Sequence, residues 1–343
     1  MYAQVLYGPN DLRYEKLERP TLKEGEVLLR VKACAMCASD NLALKGKHHR
    51  IVLPRILGHE FASVIEEVGT GVTNWKVGDR VVTNTNMYCM KCPQCKAGTP
   101  NRCKSKLNFG FKLDGAFSEF VKVPKGMEIF KLPDNISFEE GALMQPLGVA
   151  LNAVKRRAQV TVGDKVAVLG VGPVGLCVAA LAKASGAQVL VSDVSDIRLE
   201  TAQKMGASEV VNVKKEDLIK KSLEFTNNKG FDIVIEAVGG FQDETLQQAT
   251  QIVKYGGRVT VIGHFAENKA TVRIVELKDW EMELKGAQGQ YNTVPICIDL
   301  LQTGTIDLKP MITNYISLAE VPQGFELMDT KKDEVVKVII KYD

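Results

Sequence analysis

Long apolar runs, charge of one sign and a dense set of cysteines are all missing from this sequence, and each absence removes a class of protein. The one candidate for a bilayer span is the seventeen-residue uncharged stretch between Lys165 and Lys183. It is short for that purpose and is broken by three glycines and a proline. The net charge is only +3, from 44 basic and 41 acidic residues spread along the chain, with no basic stripe or tail to hold a nucleic acid. The first residues lack the basic-then-apolar layout of a secretory signal. Eight cysteines in 343 residues make no disulfide-dense scaffold, and four of them fall between residues 89 and 103, the behaviour of a metal site in a reducing compartment. Internal repeats and low-complexity linkers are absent too. These exclusions leave a soluble, cytoplasmic globular protein without nucleic-acid or membrane partners.

The length exceeds what a single core usually supports, so two domains are expected. The uncharged stretch is the most informative part of the chain. It begins as a buried strand and places glycines at Gly170, Gly172 and Gly175, the G-x-G-x-x-G spacing, with Pro173 and Val174 between them. Gly170 suits a tight turn, Gly172 lets the backbone approach a pyrophosphate, and Gly175 lets helix and strand pack closely. Phosphates would lie at the N-terminus of the helix that follows. A second strand ends at Asp193, where a carboxylate would accept hydrogen bonds from an adenosine ribose and so favour NAD over its 2′-phosphorylated form. Arg198 flanks the same position and keeps NADP in view.

From Val166 onward the chain alternates strands and helices, with strands expected at 166–170, 188–193, 209–213, 231–236, 257–262 and 281–286. That is a doubly wound parallel sheet, assigned to residues 154–288. The preceding part is different. Short strands punctuated by Gly and Pro, such as GEVLLRVKACA with Cys34 as a small apolar residue, describe a β-rich domain. A helix is expected over 137–156, with a kink or break at Pro146. The closing VVKVII strand is expected to return to the first domain, which then comprises 1–153 and 289–343.

Within the β-rich part, Cys89, Cys92, Cys95 and Cys103 have the spacing C-x2-C-x2-C-x7-C. Four thiolates this close can surround a tetrahedral zinc and order a lobe with almost no apolar residues of its own. Disulfides and an iron–sulfur cluster are the competing readings. A second group, Cys37, His59 and Glu60, has the donor types of a catalytic zinc with one position left open. The gap between Cys37 and His59 does not establish that they meet, and a core cysteine with a satisfied histidine is an equal alternative.

Taken together, CASD at 37–40, GHEF at 58–61, the VGDRV turn, the four-cysteine lobe, GVGPVG at 170–175 and KVII at 337–340 resemble the zinc-dependent medium-chain alcohol/polyol dehydrogenases, in its sorbitol dehydrogenase-like branch, over essentially the whole chain. The resemblance implies an α/β protein with a GroES-like catalytic domain and a Rossmann domain, one catalytic and one structural zinc, and reversible hydride transfer from a secondary hydroxyl of a polyol, sugar or sugar phosphate to NAD. It also implies a homo-oligomer, dimer or tetramer. By the same resemblance Cys37 and His59 hold the catalytic zinc with Glu60 as a third ligand or in exchange with water, Asp40 steadies His59 and Ser39 starts the proton relay, while Gln145 is expected to partner a second hydroxyl of the substrate. Two departures stand out: Leu42 occupies a place where many relatives carry a relay histidine, and Gln145 replaces a carboxylate. His48 and His49 are expected in solvent. Phe109, Phe111 and Gln290 to Asn292 are open to either a substrate-lining or a packing role. A simple alcohol or threonine is the alternative substrate. Other classes are a metal-free quinone or enoyl reductase and a non-catalytic NAD-binding protein.

Overall fold

The computed structural model describes residues 1–240, 243–265, 269–330 and 334–342. The chain forms two compact units: Met1–Gln145 with Val294–Gln302 and Ile312–Asp343, and Pro146–Thr293 with Thr303–Met311. The expected boundaries, 153/154 and 288/289, lie several residues from these divisions.

In the first unit the Val27–Ala35 strand is the hub. It pairs antiparallel with Glu60–Val68, with Phe120–Val123 and with the closing strand Lys337–Lys341, which in turn lies parallel to Ile312–Ser317. The alternation seen in the sequence places Val27, Leu29 and Val31 in a core shared with Ile65, Phe109, Phe117, Val121 and Val338. Burial of these side chains is the main stabilising term, at about 25 cal/mol per Å2 of apolar area. The register of the central pair has a functional consequence: Ala35 lies opposite Glu60, and Ala35 also lies opposite Ile339.

The second unit is a six-stranded parallel sheet in the order Glu209–Asn212, Gln188–Asp193, Lys165–Leu169, Phe231–Glu236, Val253–Val261, Glu283–Gly286. The inner strands are almost continuously buried, as expected when helices cover both faces of a parallel sheet. Chain order reverses on either side of Lys165–Leu169. The glycine loop leaves the carboxyl end of that strand, the place where open parallel sheets bind ligands.

The helix expected over 137–156 is divided differently from the sequence expectation. Phe138–Ala142 is capped by a reciprocal Ser137–Glu140 box, the break comes at Leu143, and Met144–Leu151 continues as wider π-type turns over Asn152–Ala158. The expected break is thus present but three residues before Pro146, which stands in the first turn of the second segment, where its missing N–H has no intrahelical partner to lose. The segment after it belongs to the second unit because its polar groups are satisfied there: Asn152 donates to the carbonyl of Gly289, Arg157 to that of Gly286, and Arg258 to that of Ala158. Among the described residues no helix is long and apolar enough to cross a membrane.

Candidate active site and metal centres

Cys37, His59 and Glu60 converge, with one donor atom from each lying within 4.8 Å of the others. The strand register explains why. Glu60 opens its strand opposite Ala35, so His59 and Cys37 extend from adjacent strand ends. Cys37 caps the Ala38–Leu44 helix, and Gly58, at φ +88°, makes the turn that delivers His59. A side chain at Gly58 would run into the Phe117 ring.

The surroundings of His59 select its metal-binding nitrogen. Nδ1 lies 3.2 Å from Asp40 Oδ1, and both side chains are buried. An Nδ1–H donating to Asp40 leaves the Nε2 lone pair for a metal. Asp40 also accepts from the backbone N–H of Cys37 at 3.0 Å. Burial pushes the His59 pKa down, but Asp40 and Cys37 outweigh it and raise the pKa well above the usual value, so zinc must displace a proton from the metal-free group. Ser39 Oγ donates to Cys37 Sγ at 3.2 Å and stands 3.4 Å from His59 Nε2.

Sequence reasoning missed Lys337. Its Nζ lies 2.6 Å from Glu60 Oε2, and the two side chains are 2% and 1% exposed. By register the closing strand places Lys337 beside the end of Val27–Ala35, where Cys37 begins. The available signal was a single cation inside the apolar run VVKVII, which no solvated face explains.

The second group is a separate lobe. Sulfur–sulfur separations are 3.5 Å for Cys92–Cys95, 3.5 Å for Cys89–Cys103 and 3.9 Å for Cys89–Cys95. Four sulfurs at about 2.3 Å from a tetrahedral zinc would be about 3.8 Å apart, so the donors already match that ion. All eight cysteines are free thiols, which removes the disulfide reading. Backbone N–H groups of Lys91 and Cys92 point at Cys89 and lower its pKa to about 6.

In the second unit, each glycine of the loop has its own steric reason. Gly170 has φ +85°, and a Cβ there would meet Val238. A Cβ on Gly175 would lie 2.0 Å from the Gly170 carbonyl oxygen. Gly172 caps the Pro173–Ala184 helix with nothing within 4 Å of a would-be Cβ, a cradle that fits a pyrophosphate. Gly172, Pro173 and Val174 are half-buried. Asp193 accepts from the backbone N–H groups of Val171, Val194 and Ser195, which ties it to the loop. Arg198 approaches its carboxylate to 3.8 Å.

Two matches with family models cover most of this architecture: an alcohol dehydrogenase GroES-like domain at residues 23–134 and a zinc-binding dehydrogenase domain at residues 173–303. Sorbitol dehydrogenase of Bacillus subtilis is 34% identical, covering 99% of this chain and 97% of its own. L-threonine 3-dehydrogenase of Bacillus licheniformis is 35% identical (97% and 96%), and L-idonate 5-dehydrogenase of Vitis vinifera 33% (94% and 90%). The chain belongs to the zinc-dependent medium-chain alcohol/polyol dehydrogenases. Solved structures similar to it include a zinc-binding dehydrogenase from Sinorhizobium meliloti bound to NADP, with a TM-score of 0.93, 29% identity and 99% coverage of both chains. An alcohol dehydrogenase from Escherichia coli CFT073 complexed with NADH has a TM-score of 0.91, 29% identity and coverage of 100% and 99%. This dehydrogenase is therefore a zinc-containing, nicotinamide-dependent enzyme, and the metal-free reductase and non-catalytic readings fall away.

Other expected residues fall outside these clusters. Gln145 is half-buried in the first turn of Met144–Leu151 and has no hydrogen-bond partner among the described residues. Phe109 is core. Gln290 is buried within the second unit, and Arg156 covers the Tyr291 ring. His49 is exposed as expected, but His48 is not: its ring stacks on Phe111 at 4.1 Å, and Phe111 is 5.2 Å from His59. Apolar contact with a buried aromatic ring holds it out of solvent.

Proposed function

We propose that this dehydrogenase oxidises a secondary hydroxyl of a polyol, sugar or sugar derivative to a carbonyl, using NAD+, at the Cys37, His59, Glu60 group. The observation that carries this reading is the convergence of a thiol, an imidazole and a carboxylate beside Ser39. The donor set fits zinc, with three protein ligands and room for a substrate oxygen. When bound, zinc supplies Lewis acidity toward the hydroxyl and the nicotinamide accepts the hydride. Cys37 and Glu60 supply the negative charge that holds the metal, and Lys337 balances Glu60. Asp40 fixes the His59 ring. Ser39 takes the hydroxyl proton at Oγ and passes it outward, a step that cannot use the side chain of Leu42. Gln145 is assigned to a second substrate hydroxyl.

Asp193 supports NAD over NADP, because its carboxylate meets a ribose hydroxyl favourably and a 2′-phosphate unfavourably. The names of the sorbitol and L-idonate enzymes favour polyol-type substrates, while that of the threonine enzyme keeps an amino-acid alcohol as the second reading. Free cysteines throughout fit a reducing compartment such as the cytoplasm, and the family resemblance favours a homo-oligomer. The test is NADH formation across a panel of polyols, sugar acids, sugar phosphates and threonine. Turnover of a polyol-type substrate at least tenfold above threonine supports the reading, and the reverse order replaces it with the second.

A further inference from the structure

Beside the zinc-ligand group, the first unit carries a set of cations that no carboxylate pairs with among the described residues. Arg50, Lys106 and Lys112 are half-buried, and none forms an ion pair among the described residues. Lys112 Nζ rests on the Lys106 carbonyl at 3.3 Å, and Lys106 Nζ on the Asn101 carbonyl at 2.9 Å. The loop holding His48 and Arg50 is joined to the same segment by the Val52 N–H, which donates to the Phe111 carbonyl at 3.0 Å. Asp114, the acid on that segment, is taken by Arg55 at 2.8 Å. Burial pulls Lys106 below the usual lysine range, the charges of Arg50 and Lys112 pull the same way, and the nearby Cys103 thiol offsets them only in part. Two polar atoms here are buried without any partner among the described residues: Arg50 Nε and His48 Nδ1. Burial and Arg50 push the His48 pKa down to about 4, which leaves a neutral ring at physiological pH.

Gathering like charges and orphaned polar atoms costs folding free energy unless something is there to receive them. The cluster touches the reaction centre through a short path, since the His48 ring stacks on Phe111 and the Phe111 ring lies tilted against His59 at 5.2 Å. We propose that Arg50, Lys106 and Lys112, with His48, form a subsite for an anionic group, so that the substrate is a sugar acid or a sugar phosphate rather than an uncharged polyol. This deepens the proposed function and rests on its placement of the reacting hydroxyl at Cys37, His59 and Glu60. Arg50 would pair with the carboxylate or phosphate by charge-assisted hydrogen bonds, and His48 Nδ1 would meet a hydroxyl between the two ends.

The experiment compares kcat/KM for a hexitol, the matching hexonate and the hexitol phosphate with NAD+, in the wild type, Arg50→Gln and Lys112→Gln. Calorimetric binding of hexonate and of inorganic phosphate to the NADH-loaded enzyme runs alongside, and zinc content shows that each variant keeps its metals. The proposal expects an anionic substrate to be preferred at least tenfold, with that preference falling to near unity in Arg50→Gln through KM. Which anion responds separates a carboxylate from a phosphate ligand. A wild type that prefers the hexitol, or a preference unchanged in both variants, overturns the subsite while leaving the dehydrogenase reading intact. Absence of turnover with every alcohol, together with hexonate or phosphate binding that is lost in Arg50→Gln, sinks the assigned reaction and keeps the subsite.

Discussion

Lys337→Met removes one member of the buried Lys337–Glu60 pair and leaves a side chain of similar length. Because both groups are at most 2% exposed, the lost partner cannot be replaced by solvent. Removing one side of such a pair typically costs about 3–5 kcal/mol, most of it the penalty of the orphaned charge. Here that penalty depends on the metal, since zinc can neutralise the Glu60 carboxylate that Lys337 has released. The metal-free protein should therefore lose about 3–5 kcal/mol of stability and the zinc-loaded protein clearly less. By linkage the difference reappears as tighter zinc binding, about tenfold for each 1.4 kcal/mol. Turnover should fall, because a Glu60 carboxylate no longer shared with Lys337 gives more negative charge to the metal and weakens its Lewis acidity toward the substrate hydroxyl. Denaturant titrations with and without chelator, a chelator-competition measurement of zinc affinity and steady-state kinetics provide the assay. The pH behaviour is also specified. Burial lowers the Lys337 pKa, but attraction to Glu60 outweighs it and leaves the folded-state pKa above the ordinary 10.5. A raised cation pKa contributes stability that is fully present below the unfolded value and is lost as pH rises through the folded one. The Lys337 contribution should thus be fully present below the ordinary lysine pKa and be lost as pH rises past it. Equal destabilisation of metal-free and zinc-loaded forms would refute this reasoning and reduce Lys337 to a packing residue.

Other substitutions separate the remaining roles. Cys37→Ala should lower zinc from two ions per chain to one with the fold retained, measured by metal analysis and circular dichroism; an unchanged stoichiometry rejects the ligand assignment. Asp40→Asn can no longer hold the His59 Nδ1–H with a charged acceptor and should weaken catalytic zinc binding about 10- to 100-fold, read by chelator competition. Gly172→Ala should fold normally, since its Cβ enters open space, yet raise the KM for NAD; Gly175→Ala should cost about 1–3 kcal/mol by forcing the Gly170 carbonyl aside, as thermal unfolding would register. Asp193→Asn should narrow the NAD preference over NADP about tenfold, and an unaltered ratio of kcat/KM values would remove Asp193 from cofactor selection.

Features carried by nearby residues were legible in the sequence. The four cysteines lie within fifteen positions, so a short loop brings them together, and the glycine loop with its flanking strands depends on one continuous segment. The inner strands of the parallel sheet were also visible, because strands buried on both faces are written as unbroken apolar runs. The dissection of 137–156 was less visible, because a proline spacing cannot say whether the residue interrupts a helix or begins one.

What the sequence by itself determined, then, was a dinucleotide loop, a cysteine lobe and a set of candidate donors. Only the tertiary structure decided which donors meet. Cys37 reaches His59 and Glu60 because Ala35 pairs with Glu60, and Lys337 arrives from the far end of the chain because Ile339 pairs with Ala35. Strand register is a collective outcome of core packing, in which a slip of one residue would turn every side chain to the opposite face. No local spacing encodes it, and it is register that makes three distant residues and one buried lysine into a single site.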